Sequence, residues 1–193
     1  MNTKGKLIIL GSNSPRRKEL LAGLDIDFTV DTGNTFEEVY SPDTEHERIP
    51  EILSEGKSYG FHRSLDDNEI LITSDTLVLC ADHVMGKPHS REEAYDMLRL
   101  LSGREHKVIT AVTVRDNFKC ETVSDTAIVY FKDLTDEEIY YYIDTYKPYD
   151  KAGAYGIQEW IGYMGISKIE GSYFTIMGLP VHLVYQELIK FID

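Results

Sequence analysis

The opening of the chain, KLIILGSNSPRRKELL at residues 6 to 21, limits the possible folds more than any other stretch. Leu7 to Leu10 is an apolar run that reads as a buried strand. A small polar turn follows, and Ser14 and Pro15 are suited to cap and begin a helix that carries Leu20 and Leu21. A strand, tight turn and capped helix aim backbone N–H groups and the helix dipole at one point. Arg16 and Arg17 stand beside it. That arrangement suits an anion, phosphate first among them, although an ordinary capped helix with solvated arginines fits the same residues.

Strand and helix signals alternate along the rest of the chain. Strands are expected at 27–31, 69–80, 107–114 and 120–131, the last two joined by a turn at Asp116–Asn117. Helices are expected at 49–63, weakened by Gly56, and from Ser90 to a stop at Gly103. Two more are expected, from Thr135 to about Thr145 and from Pro180 onward. Ser90 with Glu93 and Thr135 with Glu138 have capping-box spacing. Residues 32–44 read as a polar loop, Asp82–His83 as a turn, Gly86–Pro88 as a loop, and 150–178 as glycine-rich loop and strand. This mixture predicts an α/β fold in one domain, with a hairpin that makes the sheet mixed rather than purely parallel.

The formal net charge of −13 argues against a general nucleic-acid binder but permits a local basic pocket for a phosphorylated small molecule. No apolar run has the ~20 residues a membrane span requires. The stretch after Lys4 and Lys6 is too short for a signal peptide, so a cytoplasmic protein is expected. Cys80 and Cys120 lie in apolar runs and are expected as buried free thiols. The histidines are scattered, and neither GxxxxGK[ST] nor GxGxxG nor GxSxG occurs.

Asp75 is the residue least suited to its surroundings. It interrupts LITSDTLVLC, where a carboxylate is costly unless it is paired, hydrogen-bonded or bound to a cation. It is a candidate metal ligand or general base, or a satisfied polar residue at a strand end. Thr76 beside it could bind substrate or simply suit the strand. Lys87, between Gly86 and Pro88, could reach phosphate oxygens or stand in solvent. In YDKAGAYGIQ, 149 to 158, small residues allow close backbone approach, and the Gln158 amide could read a base edge; a structural turn is the alternative. Glu37, Glu38 and Lys57 are uninformative on local grounds.

In order along the chain, GSNSPRRKELL, Glu38, SDT at 74–76, GKP at 86–88, LSGREHKVITAV at 100–112, DKAGAYGIQ and GSYFTIMGLP resemble the Maf family of nucleoside triphosphate pyrophosphatases. The ordered set spans nearly the whole chain. The resemblance implies an elongated, bilobed, mixed α/β domain over 1–193 with a central cleft, similar to inosine triphosphate pyrophosphatases. It implies cleavage of an NTP to the NMP and pyrophosphate with a divalent cation, Mg or Mn. By motif position it implies Asp75 as general base, and Arg16, Arg17, Lys57 and Lys87 as phosphate-binding groups, the two lysines counted as catalytic. Glu38 belongs with Asp75 in the metal and water site. Ser12 and Ser14 of the signature are substrate-binding, and Thr76 and Gln158, with one of the arginines, bear on base selection. DKAGAYGIQ resembles the branch acting on dTTP and UTP, whereas the branch preferring 7-methyl-GTP carries a C-A-G-S type sequence. Ser74 and Gly11 replace alanines usual in the family. The implied partner is a nucleotide, with no nucleic acid or membrane and with a homodimer admitted. A modified-pyrimidine or modified-purine substrate and a regulatory partner in cell division are the alternatives.

Overall fold

The computed structural model describes residues 2–192. It is a mixed α/β structure with a seven-stranded sheet in the order β2-β1-β3-β5-β6-β7, β4 pairing with β3. The strands are β1 (Leu7–Leu10), β2 (Phe28–Val30), β3 (Glu69–Cys80), β4 (His83–Met85), β5 (Glu105–Arg115), β6 (Cys120–Phe131) and β7 (Ile166–Glu170). The helices are α1 (Pro15–Ala22), α2 (Ile49–Tyr59), α3 (Arg91–Leu101), α4 (Asp136–Tyr146), α5 (Trp160–Gly165), α6 (Tyr173–Met177) and α7 (Val181–Ile192). Contacts divide the chain into two compact units, and β3, β5 and β6 contribute residues to both.

The first unit takes residues up to 75, 110–125 and the chain from 178. Here β1 runs parallel to β2 and to β3, with Leu7 opposite Glu69 and Leu10 opposite Ile72. Ile8, Ile9 and Leu10 of β1 and Ile70, Leu71 and Ile72 of β3 are buried. That is why both strands read as unbroken apolar runs rather than alternating ones. Ser14 caps α1 by accepting from the Arg17 N–H, and Pro15 opens the helix. Helix α2 ends at Tyr59, four residues short of the expected Arg63. The chain turns at Gly60 so that Phe61 bridges to Asn34.

The second unit takes residues 76–109 and 126–177. The turn expected at Asp82–His83 lies one residue earlier: Ala81 and Asp82 both have positive φ, 47° and 63°, and His83 already opens β4. Two left-handed residues in a two-residue loop match the twist of a hairpin. The Thr135–Glu138 capping box is complete. At α3 only half of the expected box forms: Ser90 Oγ accepts from the Glu93 N–H, while Glu93 itself accepts from His89 N at 2.7 Å. The expected loop and strand at 150–178 contain two short helices, α5 and α6. Two glycines in the six residues of α5 hide its periodicity, and a Cβ on Gly162 would strike the Ile157 carbonyl. Cys80 is buried as expected, but Cys120 is only half-buried; both thiols are free.

His106 is a buried ionisable side chain of this unit. It lies 5.6 Å from the Phe131 ring, and its Nε2 is 2.7 Å from the Tyr155 hydroxyl. Burial pushes its pKa from 6.5 down to about 3. The unfolded chain therefore takes up a proton near pH 6.5 that the folded chain refuses until near pH 3. Stability from this site is present above pH 6.5 and is lost as the pH falls below it. Between pH 7 and pH 5 the loss is expected to be about 2 kcal/mol. Chemical denaturation at both pH values checks it: His106→Asn should flatten the pH dependence over this interval, and an unchanged slope would refute the assignment.

Candidate active site

The strand β1 delivers the chain into its first turn through Gly11, whose N–H bonds the Ile72 carbonyl at 2.8 Å. Buried Ser12 follows, and its Oγ accepts from the Ser14 N–H at 3.3 Å and from Arg17 Nη1 at 3.4 Å. Arg17 Nε donates to the Gly178 carbonyl at 2.8 Å, and the buried Ser74 hydroxyl donates to the same oxygen at 3.3 Å. Gly178 has φ of +106°, a conformation for which glycine is the natural residue. Its carbonyl thus fixes the aim of Arg17, a role that sequence reasoning missed; the Gly-Leu-Pro at the head of α7 was its one signal. Desolvation lowers the Arg17 pKa, and the charge of Asp75 works against that, followed by smaller effects of Arg16 and Glu38. An arginine stays protonated through such a shift.

Lys57, uninformative by sequence, proves to be central. Its ammonium donates to Asp75 Oδ1, and it lies 2.8 Å from Glu38 Oε1. The three groups come from α2, β3 and the loop between β2 and α2. Side-chain exposures of 20% for Lys57 and 14% for Asp75 mark a partly dry site; Glu38, at 58%, lies on its wet side. The pairing explains how β3 tolerates Asp75 among buried neighbours.

A buried hydroxyl network bolts α2 to β3 beside that pair. Ser54 Oγ bonds the Thr73 carbonyl at 3.2 Å, Thr73 Oγ1 donates back to the Ser54 carbonyl at 2.8 Å, and Ser54 Oγ meets Thr113 Oγ1 at 2.9 Å. One turn further along α2, Arg115 donates to Ser58 Oγ and to the Ser58 carbonyl at 2.9 and 2.7 Å. Ser54 and Ser58 lie three residues before and one residue after Lys57 and were not singled out in the sequence.

Among the described residues no group of three or more His, Cys, Asp or Glu side chains could hold a metal ion. Asp75 and Glu38 converge on one ammonium and form a two-carboxylate set. Mg²⁺ is ordinarily held by one or two carboxylates together with substrate phosphates and waters, so the donor set fits a cation that arrives with a nucleotide.

Three expected residues belong to the second unit. Thr76 follows Asp75 on β3 and is half-buried; Lys87 is exposed after β4. The Lys87 loop is tied to the segment 149–158, because Gly153 N bonds the Gly86 carbonyl at 3.0 Å. Gly153 has φ of +69°, and a Cβ there would press to 3.0 Å from Val78. Gln158 is half-buried, and its Oε1 is shielded from solvent without a hydrogen-bond partner among the described residues. The segment is clamped on one side by buried Lys151, whose ammonium lies 3.1 Å from Glu159 Oε1. The Tyr142 hydroxyl donates to Glu159 Oε2 and accepts from Gly156 N at 3.0 Å. Tyr142 and Glu159 were also not foreseen. Thus Ser12, Ser14, Arg17, Glu38, Lys57 and Asp75, with the half-buried Arg16 beside them on α1, sit in the first unit. Thr76, Lys87 and Gln158 sit in the second.

A dTTP/UTP pyrophosphatase of Parabacteroides distasonis is 50% identical over 98% of this chain and 98% of its own. One of Porphyromonas gingivalis is 47% identical over 98% of this chain and 96% of its own. A HAM1 protein from Coxiella burnetii is only distantly alike in structure, with a TM-score of 0.41 and 14% identity over 65% of this chain and 73% of that one. Residues 7–191 match the family described as Maf-like protein, and the chain belongs to that family.

Proposed function

We propose that this chain hydrolyses dTTP and UTP to the nucleoside monophosphate and pyrophosphate. The relatives named dTTP/UTP pyrophosphatase, at 47–50% identity over nearly the whole chain, support the substrate. The observation that carries the chemistry is the Lys57 ammonium held between Asp75 and Glu38 in the unit that also carries Arg17 and the α1 N-terminus.

Cleaving the α–β phosphoanhydride requires neutralised phosphates, an oriented water and a group to take its proton. In this reading Ser12, Ser14 and the α1 N-terminus receive phosphate oxygens. Arg16 and Arg17 offer planar forks to them, and Lys57 and Lys87 add point charges. Asp75 takes the proton from the attacking water. Asp75 and Glu38 would hold a divalent cation, Mg or Mn. Such an ion neutralises developing charge on the phosphates. Lys57 limits where the Asp75 carboxylate can swing, which orients it for the water. Thr76 and Gln158 contact the base, with the dry Gln158 Oε1 offering an acceptor to an N–H of a pyrimidine. We further propose that residues 1–193 act as one domain, on free nucleotides in the cytoplasm, as a monomer or a homodimer.

Pyrophosphate release against a panel of unmodified and modified NTPs tests the reading. Turnover of dTTP and UTP above all others is expected, and faster cleavage of 7-methyl-GTP would overturn it. Asp75→Asn should stay folded and lose about 10²–10⁴-fold in kcat, the usual cost of losing a general base. A folded variant keeping more than about a tenth of the activity would make Asp75 structural. Gln158→Ala should reduce discrimination among bases more than it reduces turnover, since a base contact acts mainly through binding. Equal losses for every NTP would remove Gln158 from base selection.

A further inference from the structure

Helix α2 carries Gly56 next to Lys57, and Gly60 stands just past the end of the helix, four residues on. Glycine is a poor choice inside a helix. The reason for both is space. A Cβ on Gly56 would run into the tip of the Phe36 ring, and a Cβ on Gly60 would lie 2.5 Å from Phe36 Cβ and 2.7 Å from Asn34 Oδ1. The missing side chains leave a groove, and Phe36 lies in it. Polar bonds fasten the same stretch: Asn34 Nδ2 to the Lys57 carbonyl at 2.6 Å, Phe36 N to Asn34 Oδ1 at 2.8 Å, and Thr35 N to the Gly60 carbonyl at 2.8 Å.

Glu38 follows Phe36 by two residues, and its Oε1 lies 2.8 Å from Lys57 Nζ. No residue from 37 to 48 is buried, and the next buried anchor is Ile49. Val39 and Tyr40, immediately after Glu38, are 66% and 43% exposed. The apolar attachment nearest Glu38 is therefore Phe36 itself. An ion pair with one partner as exposed as Glu38 is too weak to hold a loop unaided.

We propose that Phe36 seated in the Gly56–Gly60 groove is a latch that places Glu38 against Lys57, making Gly56 and Phe36 positioning residues for the reaction. The proposal rests on the pyrophosphatase reading of the site. It differs from a packing role in one respect. Gly56→Ala improves the intrinsic propensity of α2 while evicting the ring. Stability and activity should therefore move in opposite directions.

The experiment compares wild type, Gly56→Ala, Phe36→Ala and the double variant. It measures dTTP and UTP turnover with Mg²⁺, thermal unfolding, and amide exchange over residues 33–40. Gly56→Ala is expected to hold or raise the melting temperature, to lower kcat by about fivefold or more, a part of what losing an acid–base group costs, and to speed exchange over 33–40. With the ring already gone, the added methyl should change kcat by less than about twofold, since coupled sites are not additive. Wild-type kcat and exchange in Gly56→Ala overturn the latch. So does a lowered melting temperature with a proportional loss of activity, or a double variant whose losses multiply. If wild type releases no pyrophosphate from dTTP or UTP, the functional reading fails; faster exchange in Gly56→Ala alone still supports the latch, and unchanged exchange overturns it.

Discussion

Lys57 bears one positive charge between Asp75 and Glu38, and its usefulness depends on how firmly α2 is fixed to β3. The arm to Glu38, 58% exposed, is worth about 1 kcal/mol or less and does not hold these elements together. The hydroxyl network of Ser54, Thr73 and Thr113 does, because each buried hydroxyl would cost about 1–3 kcal/mol if left unpaired. Thr73 lies two residues before Asp75 and Ser54 three before Lys57. The bolt and the charge pair thus share the same short stretches of chain, and the position of the ammonium relative to the carboxylate follows from the register of α2 on β3.

The site residues carried by α1 are mounted differently. Arg17 is aimed by a main-chain oxygen, that of Gly178, which also receives the Ser74 hydroxyl. A carbonyl on a left-handed glycine cannot swing as a side chain does. An arginine anchored through Nε keeps one edge of its fork occupied and leaves its remaining donors to choose other partners, Ser12 being one. In the proposed function, a guanidinium held this way would meet phosphate with much of its freedom already lost, so less entropy would remain to be lost on binding.

How much of this was legible in the sequence depends on how far each contact reaches along the chain. The β1 strand, the Ser14 cap and the Thr135–Glu138 box involve residues at most four apart, and local pattern revealed them. Asp75 was conspicuous because a charge inside an apolar run is costly wherever the strand packs. Its partner was not, since Lys57 stands 18 residues away on a helix face that offers lysine an ordinary solvated role. The resemblance to a family drew Lys57 and Glu38 into the site before any local signal did. The end of α2 and the helix α5 were misjudged for a related reason. Gly60 answers to Phe36, a neighbour that no window on its own segment contains, and Gly162 to the Ile157 carbonyl in the chain leading into α5, a contact of backbone geometry that residue pattern does not reveal.

Two buried polar atoms lack hydrogen-bond partners among the described residues, His106 Nδ1 and Gln158 Oε1, and they differ in what surrounds them. His106 is 3% exposed and stacks against aromatic rings, so its unpaired nitrogen lies in apolar packing, where neutrality is enforced by burial. The imidazole uses its other nitrogen to hold Tyr155, three residues before Gln158. Gln158 is half-buried on a segment also held by Tyr142, Glu159 and Lys151. An amide oxygen kept dry on a rigid segment is costly to the empty protein and rewards a ligand that supplies a donor. The same kind of deficit therefore has opposite meanings: at His106 it accompanies a fixed scaffold, and at Gln158 it accompanies a residue still able to gain a partner.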